Sequence, residues 1–419
     1  MQVEKSLLET IVQALTVVLP VRQPADVALR TFFRDHKNLG SRDRAWVADT
    51  VYAALRRRRY LEHVTPEATP REMALAALVK VMGVGIGQIE SALRPSEKGW
   101  LVALKGAPAE ELPFEILADL PDWVIGRLRK QYPDEEILAL ARSLQQAAPL
   151  DLRVNSLKAP REAVIDRFHR DELHATATRI SPLGVRLREK PALQKHVLFL
   201  EGVVEVQDEG SQILGMLMEV KRGEMVVDFC AGAGGKTLQL GAAMHSQGRL
   251  YAFDTSDKRL QNLGPRLKRS GLSNVHPQRI SGENDAKVKR LRGKIDRVLV
   301  DAPCTGLGTL RRNPDLKWRQ TEAAVAELNA KQSSILAAAA TLVKPGGRLV
   351  YGTCSLLAEE NEAIVTAFLE VHPDFKLVPA KEVLERLGLA VSGAGEYMHL
   401  LPHTHDTDGF FAAVMQRAG

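Results

Sequence analysis

Residues 225–237 read Met225-Val226-Val227-Asp228-Phe229-Cys230-Ala231-Gly232-Ala233-Gly234-Gly235-Lys236-Thr237. The first five form a compact, largely apolar run that suits a buried strand, and a helix-forming segment follows the last. Small residues between strand and helix let backbone N–H groups approach a ligand at the helix N-terminus. The next strand, residues 249–254, ends in Asp254, where a carboxylate is placed to accept from ribose hydroxyls. Loop and acid together point to an adenosine-bearing ligand; the bland alternative is a tight strand–helix turn. A phosphate-binding P-loop is the rival, because Gly235-Lys236-Thr237 matches its end and residues 298–301 imitate a strand closing on a Mg²⁺-holding Asp. That motif, however, needs a glycine where Cys230 stands, and it gives no reason for Asp254.

Working outward, further strands are predicted at residues 275–280, 295–302, 348–354 and 409–416. A helix is predicted over 322–342, closed by Lys344-Pro345-Gly346-Gly347. Strands alternating with helices from residue 219 onward argue a parallel sheet with crossover helices. Residues 149–210 differ, with short β-like pieces at 152–154, 184–187 and 202–206 around a helix-like stretch at 161–169. Residues 1–135 read as all-helical, with apolar residues at helical spacing in 7–15, 27–33, 46–55 and 73–82 and loops marked by Pro108, Pro113 and Pro121. The expected organisation is therefore 1–135 all-α, 136–218 small α/β and 219–419 α/β, in keeping with two or three domains for 419 residues.

All three cysteines lie in the last part, each at or just past the end of a predicted strand. In a parallel sheet those ends face one crevice, where ligands bind. Cys304 follows Asp301-Ala302-Pro303, and Cys354 follows Tyr351-Gly352-Thr353. Two thiols converging on an adenosine site point to nucleophilic catalysis. A zinc site lacks CxxC or HxxxC spacing, and His403, His405 and Asp408 lack a third His or nearby Cys, so no metal is expected. The plain alternative is small buried residues, most of all for Cys230. Three cysteines are also too few for a disulfide framework, which reads as a reducing, cytoplasmic setting.

A composition of 45% hydrophobic and 26% charged residues excludes extensive disorder. The net charge of +6 is mild, but residues 1–60 and 281–320 each carry an excess of five positive charges. Two separated basic zones fit a polyanionic partner touched at several places. No basic region precedes an apolar core at the start, and no run of ~18 apolar residues occurs, so neither a signal peptide nor a membrane span is expected.

Three stretches carry a family resemblance: VVDFCAGAGGKT (226–237), DAPCTGLGTLRRNPDLKW (301–318) and YGTCSLLAEENE (351–362). Together they resemble, in order, the signature motifs of the Sun-family RNA cytosine-C5 methyltransferases. SRDRAW (41–46) through VYAALRR (51–57) is similar to the NusB-like RNA-binding domain of the Sun/Fmu/RsmB-type members that act on bacterial 16S rRNA. The resemblance implies a Rossmann-like S-adenosylmethionine-dependent methyltransferase core, a mainly parallel seven-stranded sheet with one antiparallel strand. An all-α NusB-like N-terminal domain and a small α/β RNA-binding domain complete the implied fold. It implies S-adenosylmethionine as cofactor, RNA (16S rRNA) as partner, neither DNA nor membrane, and a monomer.

Cytosine C5 attacks a methyl sulfonium only after a thiolate has added to C6, so the chemistry needs a nucleophile, an acid at N3 and a base for C5. The residues alone do not choose between the thiols. The resemblance assigns Cys354 as nucleophile, Cys304 to product release, and Asp301 to N3 with a further cofactor contact. It also assigns Cys230, Ala231, Gly232, Ala233, Gly234, Gly235 and Lys236 to the cofactor loop, and Asp254 to the ribose. Lys236 has a competing role, lowering a nearby thiol pKa. The family's Asp after the third core strand is absent here: Ser281 stands at its place and Asp285 four residues later. For RNA, candidates are Arg56-Arg57-Arg58-Arg59 at a helix end, Arg311, Arg312, Lys317 and Trp318 after Cys304, and Arg153, Asn155 and Lys158 in the middle part. Trp318 packed in a core and arginines placed by helix dipole are the structural alternatives. A noncatalytic RNA-binding or assembly protein is the alternative function, against which the intact Asp301, Cys304 and Cys354 argue.

Overall fold

The apolar spacing of the first part folds into helices. Lys5–Val18, Ala25–Asp35 and Ser41–Arg56 fully bury Leu8, Ile11, Leu15, Val51 and Leu55 in one core. Thr69 accepts from the Glu72 N–H, and the Glu72 carboxylate accepts from the Thr69 N–H at 2.8 Å, a reciprocal cap that starts the helix Pro70–Ala76. Buried Arg71 is matched by Glu97 at 2.6 Å and Glu9 at 2.7 Å. The structure, a computed structural model, describes residues 3–107 and 112–419, so the loop reading at Pro108 lies outside the described residues. Helices continue to Leu144, past the expected boundary near 135. The chain divides into two units, and the first, running to Ala147, also takes in Thr309–Glu322, the segment after Cys304.

The second unit holds two sheets. Strands β1 (Leu150–Val154), β2 (Ala175–Ala177), β3 (Gly184–Leu187) and β4 (Val204–Val206) form an antiparallel sheet in the order β2-β3-β1-β4. The helix Arg161–Arg170 buries Val164 and Phe168 in the core shared with Leu152, Val154 and Val185. This small sheet is tied to the larger one by polar contacts inside the unit. Arg153 donates to the Gly235 carbonyl at 2.7 Å, Asn155 to that of Ser270 at 3.0 Å, and Lys158 to that of Arg269 at 2.6 Å. These three residues thus tie the two sheets together.

The larger sheet comprises β5 (Met225–Asp228), β6 (Arg249–Asp254), β7 (Val275–Arg279), β8 (Ile295–Asp301), β9 (Val343–Thr353), β10 (Phe375–Val378), β11 (Met398–Leu400) and β12 (Phe410–Arg417). Its order is β10-β12-β9-β8-β5-β6-β7, with β11 added against β12. The pairs among β5 to β9 are parallel, and β12 runs antiparallel to β9, β10 and β11. This is the expected Rossmann-like core, with one strand more. Central strands covered on both faces read as continuous apolar runs; Val226, Val227, Val298, Leu299, Leu349 and Val350 are fully buried. The helix Glu322–Ala340 ends before Lys344–Gly347, as expected, and that segment loops out as a bulge at the start of β9, where the ladder slips between Ile295 and Arg297. Order reverses about β5, which has β8 on one side and β6 on the other, and a crevice opens beyond the strand ends there. Among the described residues no helix is long and apolar enough to cross a membrane.

Candidate active site

The crevice holds a cavity of about 450 Å³. Its walls include Asp228, Cys230, Ala231, Gly232, Ala233, Gly235, Lys236, Asp254, Asp301, Cys304 and Cys354. The strand-end geometry therefore gathers the two thiols, both acids and the glycine-rich loop at one place. Gly234 stands behind the wall rather than in it. Its φ of +84°, and Leu263 Cδ1 lying 2.2 Å from where a Cβ would be, explain why only glycine fits. Asp254 Oδ2 accepts from the Gly232 N–H at 2.9 Å, tying the end of β6 to the loop after β5. Arg266 holds the Ala233 carbonyl at 2.6 Å from the opposite side.

Lys236, on the first turn of the helix Gly235–Ala243, places its ammonium 2.7 Å from Asp301 Oδ2 and 5.3 Å from the centre of the Phe410 ring. The two thiols stand 3.4 Å apart, Sγ to Sγ. The Cys304 thiol is held well above the ordinary thiol range, first by its hydrogen bond with Cys354 and then by burial. Burial also pushes the Cys230 thiol up, with Asp228 adding to the effect; that cysteine sits against the hydrophobic core behind the cavity.

Asp228 closes the floor. Thr237 donates to its Oδ2 at 2.6 Å, its Oδ1 has no hydrogen-bond partner, and burial raises its pKa to about 7. The folded chain therefore keeps a proton that the unfolded chain releases near pH 4. Between about pH 4 and 7 the folded state binds more protons, so stability falls as pH rises through that window and levels off above it. Asp228→Asn is expected to remove this slope. Relative to the parent, the variant should gain about 2 kcal/mol of stability in urea unfolding between pH 5.5 and pH 8, from ~1.4 kcal/mol per unit over the titrating part. An unchanging difference between the two proteins would mean that Asp228 ionises normally.

Sequence reasoning missed other wall residues: Gln207, Ser211, Glu283 and Lys331. They come from elements far apart in sequence and share no motif. After β7, Asp285 accepts from the Lys287 N–H at 2.8 Å and the Ser281 N–H at 2.7 Å. These bonds hold its carboxylate down at about 2 and make it a helix cap rather than a wall residue.

The basic cluster Arg56–Arg59 makes contacts within the protein. Arg56 donates to the Arg311 carbonyl, Arg57 to Gln145, Arg58 to Glu62 and the Leu19 carbonyl, and Arg59 to the Leu120 carbonyl, with a second pairing to Asp122. Lys317 is likewise buried on Asp119, and the Trp318 indole N–H faces the Leu55 carbonyl at 3.4 Å. All these contacts lie within the first unit. These side chains thus brace the first unit, whatever further contacts they make.

Comparison with known proteins agrees with this geometry. The family described as 16S rRNA methyltransferase RsmB/F matches residues 215–416, and a ferredoxin-like domain of RsmF/B-like methyltransferases matches residues 120–194. A probable ribosomal RNA small subunit methyltransferase B of Synechocystis is 35% identical over 88% of this chain and 82% of its own length. A protein of the same description from Bacillus subtilis is 29% identical over 94% of this chain and 88% of its own. Among solved structures, that of PH0851 superposes over the full length of both chains with a TM-score of 0.81 at 28% identity.

Proposed function

Because the chain belongs to the RsmB/F family of 16S rRNA methyltransferases, we propose that it methylates C5 of a cytosine in 16S rRNA through a covalent adduct with Cys354. The observation that carries this reading is the thiol pair 3.4 Å apart at a cavity whose other wall is the Lys236–Asp301 pair. Cys354 adds to C6 as thiolate. The Asp301–Lys236 pair faces the N3 side, where negative charge develops on addition, and the cation compensates it. Cys304 serves the closing steps, in which the C5 proton passes to water and the C6–S bond breaks to return the Cys354 thiolate.

The cavity fits S-adenosylmethionine: residues 230–235 offer a loop with side chains too small to block close approach, and Asp254 stands at the end of β6 beside it. When bound, the cofactor supplies an electrophilic methyl group on a sulfonium. In this reading Cys230–Lys236 flank its methionine part and Asp254 its ribose. Residues 1–135 and 136–218 serve RNA docking, 219–419 the chemistry, and the protein acts in the cytoplasm as a monomer without metal. Bisulfite mapping of 16S rRNA, from cells with and without the gene, should show one protected cytosine that becomes convertible when the gene is absent. An unchanged pattern would sink the proposal.

A further inference from the structure

Thr305 and Ser355, the residues that directly follow the two thiols, both lean on one carboxylate. Glu360 is fully buried in the short turn Ala358–Glu360. Its Oε1 accepts from the Thr305 N–H at 2.8 Å and from Gln332 Nε2 at 3.0 Å. Its Oε2 accepts from the Thr305 hydroxyl at 2.5 Å and from the Ser355 hydroxyl. Four donors fill the acceptor positions of one carboxylate. Among the described residues no cation pairs with it, so these hydrogen bonds alone repay its burial. Gln332 also donates to the Pro303 carbonyl at 2.9 Å, bracing the residue before Cys304 as well.

Backbone contacts support the same junction. The Gly308 N–H donates to the Cys354 carbonyl at 2.8 Å. A Cβ at Gly308 would lie 2.3 Å from the Gly409 carbonyl oxygen, so the loops meet as closely as glycine permits. The loops carrying Cys304 and Cys354 come from different strands, β8 and β9, and nothing in the sheet register alone sets the distance between thiols beyond the strand ends.

We propose that Glu360 is a positioning residue that holds Cys304 and Cys354 at their working separation through Thr305 and Ser355. The proposal deepens the reading above and rests on both thiols acting in one reaction. Glu360 is absent from the cavity wall, so it touches neither RNA nor cofactor and acts only through the loops.

The chemistry of the substitutions makes the test specific. Glutamine keeps the shape, and its amide N–H₂ can face the Thr305 and Ser355 hydroxyls, which rotate to accept, while its oxygen still accepts from the Thr305 N–H and Gln332. Alanine keeps none of this. In steady-state methylation, Glu360→Ala should lower kcat about 100-fold with little change in KM for RNA, as expected when reacting groups shift by about an ångström; Glu360→Gln should recover most of that loss. A second readout follows the thiols without the reaction. Diamide, which takes up the two hydrogens released, should join Cys304 and Cys354 in the parent protein, as mapped by mass spectrometry. The joining should slow about tenfold in Glu360→Ala and in the double variant Thr305→Val/Ser355→Ala, and stay near the parent rate in Glu360→Gln. Parent-like oxidation in both the alanine and double variants would overturn the positioning role, and should Glu360→Ala not fold, the double variant alone decides. Slowed oxidation with undiminished methylation would leave the positioning intact and instead defeat the two-thiol reaction.

Discussion

Cys354→Ala is expected to abolish methyl transfer and leave no covalent RNA–protein species, whereas Cys304→Ala is expected to trap one. With Cys354 removed, no group can form the C6 adduct, and C5 stays too weakly nucleophilic to be methylated; activity should fall at least about 10³-fold, as for other lost nucleophiles. With Cys304 removed, Cys354 still attacks, but the thiol 3.4 Å away that serves release is gone and the adduct persists. A denaturing gel with labelled RNA and S-adenosylmethionine reads the result as a shifted, protease-sensitive band. If Cys354→Ala accumulates the band and Cys304→Ala does not, the roles are reversed. Full activity in both variants would end the covalent mechanism.

The parts of the site legible in sequence were those where chemistry and fold coincide at a strand end. β5, β6 and β8 are apolar runs closed by Asp228, Asp254 and Asp301, and the turn after β5 is built of small residues. Strand-end placement alone brought Cys304 and Cys354 to one crevice. Short edge pieces were not legible: β2, β10 and β11 hold three or four residues, too few for alternation to stand out. Lys344-Pro345-Gly346-Gly347 signals a stop, which is true locally, but the strand resumes its ladder after the bulge. Glu360 was hidden because acidic residues in AEENE look like an exposed helix start; its only signal was a hydroxyl residue after each cysteine. Charged residues were the least legible. Arginines in a row resemble a nucleic-acid surface, and nothing local shows that Asp119 or Gln145 waits far along the chain.

That last point carries the second large effect, which concerns stability. Lys317→Met is expected to destabilise the first unit by about 3 kcal/mol, and Asp119→Ala by more, toward ~5 kcal/mol. Asp119 is fully buried, and its carboxylate accepts from the Arg59 N–H at 3.2 Å, the Tyr60 N–H at 3.1 Å and Lys317 Nζ at 3.1 Å. Lys317 also donates to the Arg56 carbonyl at 2.9 Å, and burial lowers its pKa despite Asp119. Removing the lysine leaves a buried carboxylate compensated by two amides and the Arg57 guanidinium at 3.4 Å. Removing the aspartate orphans the amides that start the helix Arg58–Val64 and puts alanine at a φ of +52°, which adds backbone strain. Segment-resolved hydrogen exchange should show Arg59 and Tyr60 losing protection first, and unchanged exchange in both variants would refute the ion pair as a stabilising element. The same residues decide how RNA-binding data are to be read. A chain cut near residue 140 loses Asp119 and Arg56 and strips Lys317 of both partners, so its weakened RNA binding would not isolate a docking domain. Lys317→Met separates the cases, because a phosphate contact would lower the salt dependence of RNA affinity by about one counterion, whereas a buried strut leaves that slope as it was in the molecules that remain folded.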